Sequence, residues 1–187
     1  RTSLYLSLLL FIGLGYTGIA QQTIQYPIDA DHANEFGHLL VQTYDGRFSS
    51  VNSLATDVIH KITGKDDFNF PGKGKMDVMH LFLDMQVDPN YWSQQNLIVV
   101  REKGLRELLG INQKYIPFAL FFNADKSYRL DGAVKKAFQK KAADQSSLER
   151  EIIKVTERVN IFSMILNSTM LKIFPVQNSE NNRWVSW

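Results

Sequence analysis

Residues 3–20 (SLYLSLLLFIGLGYTGIA) run eighteen positions without a charge and then give way to a polar chain. As a helix rising 1.5 Å per residue, such a run covers about 27 Å, close to the ~30 Å of hydrocarbon in a bilayer. No soluble domain of this size requires such a stretch at its extreme end. The remainder is therefore expected to be a water-soluble domain tethered to a membrane or exported across it. Two forms of the segment compete. Arg1, an apolar middle and the small-residue run Gly18-Ile19-Ala20 are the parts of a signal peptide. The apolar run is longer than the usual signal core, which favours a transmembrane or signal-anchor helix. We expect the chain to be a piece of a longer membrane protein. Arg1 on the near side would place the polar domain on the outer face, because basic residues prefer the cytoplasmic flank.

The expected division is a transmembrane helix and linker over residues 1–25 and a periplasm-facing, mostly helical domain over residues 26–187. The latter holds all 19 acidic and 20 of the 21 basic residues, a formal charge of +1. Near neutrality argues against a general nucleic-acid binder, which needs an excess of cations to displace counterions. The chain has no cysteine, which excludes disulfides, thiolate metal sites and thiol catalysis. Its stability must come from an apolar core, and an aromatic content of 12% suits one.

Periodicity predicts a mainly α fold with one small β-hairpin. Asp29 or Asp31 can cap a short first helix whose stripe is Ile28, Phe36, Leu39 and Leu40. Residues 40–44 and 47–51 read as two strands around Asp45-Gly46, a pair suited to a type I′ turn. Asn52 or Ser53 can cap a helix carrying Leu54, Val58 and Ile62, with Gly64 as its stop. Residues 65–75 (KDDFNFPGKGK) read as a loop. An amphipathic helix resumes from Met76 to Val87, with Met79, Leu83 and possible contributions from Phe82 and Val87 inward, and Asp88-Pro89-Asn90 ends it. Residues 97–100 form a strand or the entry to a helix. Residues 103–109 form a short helix closed by Gly110, and residues 115–122 an apolar run bent at Pro117. The clearest element is a long helix on Leu148, Ile152, Val155, Val159, Phe162, Leu166, Thr169 and Ile173. Ser146 and Glu149 make its capping box, and Pro175 ends the run.

No chemistry-bearing constellation stands out. The histidines are His32, His38, His60 and His80, without any His-x-x-x-His or His-Glu-x-x-His spacing. His32 is the one weighed as a haem ligand, since it falls in the first turn after the apolar segment. Gly72-Lys73-Gly74-Lys75 lacks the spacing and ending of a phosphate loop and reads as solvated. Lys135, Lys136, Lys140 and Lys141 read as a basic, solvated helix face, with electrostatic docking to lipid headgroups or a partner as the alternative. No catalytic residue and no metal ligand is assigned.

Several phrases carry a resemblance: His32-Ala33-Asn34-Glu35-Phe36-Gly37, Leu39-Leu40-Val41-Gln42, Asp45-Gly46-Arg47 and Asn52-Ser53-Leu54-Ala55. Glu157-Arg158-Val159-Asn160-Ile161, Ile173-Phe174-Pro175 and Asn181-Asn182-Arg183-Trp184-Val185-Ser186-Trp187 extend it. In phrase and order they resemble the extracytoplasmic region of fused ResB/CcsA-type, system II cytochrome c synthases. The resemblance implies a bacterial inner-membrane machine that attaches haem to the Cys-x-x-Cys-His motif of apocytochrome c. Its haem-handling histidines and tryptophan-rich motif would lie in other membrane spans of the same protein. Trp92, Trp184 and Trp187 are too dispersed to supply that motif, so no haem ligand is carried over.

The resulting expectation is a scaffold or dock that holds apocytochrome c near the haem site, within a parent protein acting as a holocytochrome c synthase. The expected contact surface is Tyr44, Arg47 and Phe48 on the hairpin, plus Tyr91 and Trp92 as exposed aromatics. The alternative is a membrane-anchored periplasmic binding module unrelated to haem. A hydrolase fares worst, for want of a nucleophile–base pair.

Overall fold

The computed structural model describes residues 28–186, so the expected membrane segment over residues 1–25 lies outside the described residues. Among the described residues no helix is long and apolar enough to cross a membrane. The domain is mainly helical, with four separate two-stranded antiparallel ladders among the described residues.

The centre is the longest helix, α7 (Ser147–Leu166). It starts where the sequence predicts: the Ser146 hydroxyl accepts from the Glu149 N–H at 3.2 Å, and the Glu149 carboxylate accepts from the Ser146 N–H at 2.9 Å. Ile152, Val155, Val159, Phe162 and Ile165 form its buried stripe. Its end differs from the expectation. Ser168 turns left-handed at φ 53°, its N–H donates to the Ile165 carbonyl, and the Thr169 N–H donates to that of Met164. This pair of bonds is a Schellman closure, normally built on glycine. Thr169 and Ile173, although in phase with the stripe, lie beyond the helix.

Against α7 pack α2 (Val51–Thr63) and α3 (Val78–Val87), and α1 (Ala30–Gly37) closes over both of these. Asp29 caps α1, its carboxylate accepting from the Asp31 N–H at 3.2 Å. Ser50, slightly earlier than Asn52 or Ser53, caps α2 by accepting from the Ser53 N–H. Gly64 ends α2 at φ 70°. Inside, Ala55, Ile59 and Ile62 of α2 meet Met79, Phe82 and Met85 of α3 within one continuous apolar core. Val87, a possible inward residue by its spacing, is 64% exposed instead. Asp88 then both ends α3 and caps the short α4 (Pro89–Ser93), with proline in the first-turn position that needs no N–H.

The strands settle the ambiguous segments. Besides β1 (Leu40–Gln42) and β2 (Phe48–Ser50), residues 65–75 are not a loop but hold most of a second hairpin, β3 (Asp67–Phe70) and β4 (Gly74–Asp77). Phe68 faces Met76 across it, and both are buried. The turn is Phe70-Pro71-Gly72-Lys73, closed by the Lys73 N–H on the Phe70 carbonyl, with Gly72 at φ 81° as a type II turn requires. β5 (Ile98–Val99) resolves the segment over residues 97–100 as a strand, paired with β6 (Tyr115–Ile116). Between them α5 (Lys103–Leu108) is capped by Glu102, and after Pro117 the apolar run becomes a 3-10 turn (Phe118–Phe121). α6 (Asp131–Phe138) lies on α7. It stops before Lys140 and Lys141, so the four lysines do not share one helix face. Lys135 pairs with Asp131 and Lys140 with Glu149, at 2.7 and 2.6 Å. The last ladder joins β7 (Phe174–Pro175) to β8 (Trp184–Val185).

Two ion pairs among the described residues are buried. Lys73, a solvated loop residue by its sequence context, instead folds inward, and its Nζ lies 2.6 Å from Asp84 Oδ2 with side chains 9% and 4% exposed. The Trp92 indole N–H donates to the same oxygen at 2.9 Å, and Lys73 stands over the rings of Tyr91 and Trp92. In the second pair Arg158 donates to Glu151 at 3.1 Å, to the Val99 carbonyl at 2.9 Å and to the Lys61 carbonyl at 3.2 Å.

Removing one partner of a buried pair strands the other charge. Asp84→Leu should therefore lower unfolding free energy by about 3–5 kcal/mol in urea titration, and Lys73→Met combined with it should recover most of that loss. Ser168→Gly should add about 1 kcal/mol in the same assay by relieving the left-handed serine.

Candidate functional site

The region best arranged for contact is the β1–β2 hairpin together with the terminal ladder folded onto it. Register sets its two faces. Leu40 pairs with Ser50, Val41 with Ser49 and Gln42 with Phe48. Alternation sends Val41 into the core, where it is fully buried, and Leu40, Gln42 and Phe48 to the opposite face.

The loop is not the type I′ turn that Asp-Gly suggested. That turn needs positive φ at both central residues, and here only Gly46 has it, at 81°. Tyr44, Asp45 and Gly46 form a three-residue loop instead. The Gly46 N–H donates to the Thr43 carbonyl and the Thr43 N–H to the Arg47 carbonyl, at 3.0 and 2.8 Å. Asp45 braces it. The Thr43 hydroxyl lies 2.5 Å from Asp45 Oδ1, and Arg47 Nε donates to Oδ2 at 2.6 Å. The Thr43 hydroxyl, and after it Arg47, lower the Asp45 pKa from 3.8 to about 2.

Gln42 fastens the far end of the chain to this hairpin. Its Nε2 donates to the Asn182 carbonyl at 3.2 Å, and its Oε1 accepts from the Trp184 N–H at 2.8 Å. Its own N–H donates to the Lys172 carbonyl at 3.0 Å. The Trp184 ring then meets Phe48 edge-on at 5.1 Å, and Lys172 Nζ sits 4.2 Å from the centre of the Tyr44 ring. The outcome is a platform on which Leu40, Tyr44, Phe48 and Phe174 remain about half exposed or more. Isolated apolar residues are ordinary on a surface, but exposed rings beside Arg47 and Lys172 have the composition of a contact face.

The structure thus brings together Tyr44, Arg47 and Phe48 of the sequence-based set. It does not add Tyr91 and Trp92. Trp92, expected as an exposed aromatic, is fully buried, edge-on to Phe70 and Tyr91 and bonded to Asp84. An indole that can bury its body and still satisfy its N–H belongs to the core. Gln42, Lys172 and Trp184 were missed, and no local signal marks them, because their contacts span up to 142 positions in sequence.

His32 is exposed on α1 at the wall of a second feature, an apolar groove of about 280 Å³ lined by Ile28, Phe36, Leu83, Gln86 and Val87. Gln86 Oε1 is buried there with no hydrogen-bond partner among the described residues. His32 is the one imidazole on that wall, and no group of three metal-ligating side chains occurs among the described residues.

The bracing of Asp45 gives a pH signature. Its folded pKa is depressed, so its contribution to the loop is complete above pH 3.8 and is lost as pH falls through about 2. Carboxyl-carbon NMR should show Asp45 titrating near pH 2, and Arg47→Ala should move that midpoint upward. Gln42→Ala should release the terminal ladder: amide exchange at Trp184 should speed up about tenfold while that of α7 stays unchanged.

No protein-family model matches the chain. Over 152 residues, 81% of its length, it is 32% identical to Protein NrfI of Wolinella succinogenes. That stretch is 16% of NrfI, so the chain spans about a sixth of the length of the curated relative it matches.

Proposed function

We propose that this chain is the extracytoplasmic part of a cytochrome c biogenesis protein of the bacterial inner membrane. In this reading it faces the periplasm, holding apocytochrome c for haem attachment by other membrane spans of the same protein. The observation that carries the reading is the 32% identity to NrfI over 152 residues, which supports cytochrome c biogenesis in the broad sense. The ResB/CcsA-like phrases along the chain support the finer assignment to system II. The aromatic platform built on Tyr44 and Phe48 supports a docking role, since exposed aromatics beside an arginine are the usual anchors of a protein contact.

The chemistry assigned to the domain is positional. Haem and the apocytochrome are substrates, and the partner brings the thiols that this chain lacks. Holding a flexible chain near a reacting group replaces a bimolecular encounter with a local one, and that alone lowers a barrier. With the Arg47 charge met by Asp45, Lys172 over the Tyr44 ring is the cation that favours an acidic residue in the partner segment.

The test uses the whole chain, purified in detergent micelles and titrated calorimetrically with a synthetic apocytochrome segment containing Cys-x-x-Cys-His. Binding is expected, and Tyr44→Ala combined with Phe48→Ala should weaken it about tenfold or more with the thermal midpoint preserved. Absence of binding to the unaltered chain, or equal binding by the double variant, overturns the reading. In the first case an envelope-binding module unrelated to haem takes its place.

A further inference from the structure

The β1–β2 ladder has two outer edges, and they are not equivalent. In an antiparallel pair, residues alternate between those that exchange hydrogen bonds across the ladder and those whose N–H and C=O point outward. The bonds from the Val51 N–H to the Leu39 carbonyl and from the Thr43 N–H to the Arg47 carbonyl fix this alternation. Leu39, Val41 and Thr43 bond across to Val51, Ser49 and Arg47. Leu40 and Gln42 therefore point outward from β1, and Phe48 and Ser50 outward from β2.

The edge of β1 is partnered, because the Gln42 N–H donates to Lys172 and the terminal ladder lies alongside. The edge of β2 is open. Among the described residues no hydrogen bond reaches the N–H or C=O of Phe48 or the N–H of Ser50. These groups sit beside the Phe48 side chain, half exposed, and the Arg47 side chain, 83% exposed.

We propose that this edge takes an extended polypeptide segment as a third strand, bonded through the Phe48 N–H and C=O and the Ser50 N–H. The inference rests on the proposed function, that the domain docks a polypeptide, and it names how. A bilayer surface does not fit, since lipid hydrocarbon would leave those amide groups unsatisfied. A peptide supplies both what the edge lacks and apolar side chains for the Phe48 ring, and main-chain pairing tolerates many sequences.

Phe48→Pro and Phe48→Ala separate the edge from the ring. Both remove the ring, but only proline removes the outward N–H, and an edge strand accommodates proline at such a position. The full chain in micelles is titrated with the Cys-x-x-Cys-His segment, with the same segment N-methylated at alternate residues in either register, and with the unrelated extended peptide Thr-Val-Thr-Val-Thr. Phe48→Pro should bind at least tenfold more weakly than Phe48→Ala. One methylation register should abolish binding while the other leaves it intact. In the unaltered chain, bound peptide should slow amide exchange at Phe48 and Ser50 at least tenfold and leave Ser49 unmoved, a readout independent of how the proline variant folds.

Equal binding by the two variants and by both methylated forms, with exchange at Phe48 unchanged, overturns the strand and leaves the docking reading standing. Binding of Thr-Val-Thr-Val-Thr with these dependences, but none of the apocytochrome segment, upholds the strand and removes that reading. Binding of neither peptide overturns both. A dimer of the full chain that Phe48→Pro dissolves assigns the edge to a second copy and also overturns the proposal.

Discussion

Arg158 is where distant parts of the chain are made to agree. A guanidinium carries five donors, and burying it strands a charge unless acceptors are fixed around it. Here α7 supplies Glu151, two turns back along the same helix face, while the end of α2 and the strand β5 each supply a carbonyl. Glu151 in turn accepts from the Arg101 N–H at 2.8 Å. Apolar contact alone would let α7 slide or rotate against α2 with little penalty. A buried cation with fixed acceptors does not, since any shift strands it. The helices carrying the rest of the domain inherit their positions from this arrangement.

The second buried pair works on a smaller scale and in a different place. Lys73 reaches from a tight turn into α3, so the β3–β4 hairpin is anchored at its tip as well as by Phe68 and Met76. Trp92 completes the coordination of the Asp84 carboxylate and closes α4 over it. By contrast, the ion pairs of Lys103 with Glu107 and of Lys135 with Asp131 are solvated and contribute little. The domain's charged residues therefore divide between a few that locate elements and many that keep the surface wet.

What the sequence disclosed tracks the range of the forces involved. The start of α7 was legible because a capping box and a three-four rhythm are local properties. Its end was not, because Thr169 and Ile173 keep the rhythm after a serine has taken the left-handed place usually held by glycine. The β1–β2 hairpin was legible from Asp-Gly, yet its loop type was not, since that depends on how the strands twist together. The β3–β4 hairpin hid behind its charges, although Phe68, Phe70 and Met76 alternate with polar residues as strands do. Of the candidate site, the exposure of Tyr44, Arg47 and Phe48 on the hairpin could be read off the chain. The link from Gln42 to Trp184 could not, and the burial of Trp92 shows that an aromatic's exposure is decided by the partners the fold gives it, here Phe70 and Asp84.

The division of the β structure into isolated pairs has a mechanical consequence. In a continuous sheet a displaced strand drags its neighbours through shared hydrogen bonds, and disturbance at one edge travels across. Here each ladder among the described residues ends at its second strand, while β2 runs straight into α2 and β4 into α3. The first hairpin is coupled inward by Val41, sideways by Gln42 and lengthwise through Ser50, the cap of α2. Load placed on its rim would therefore pass along α2 and not spread from strand to strand.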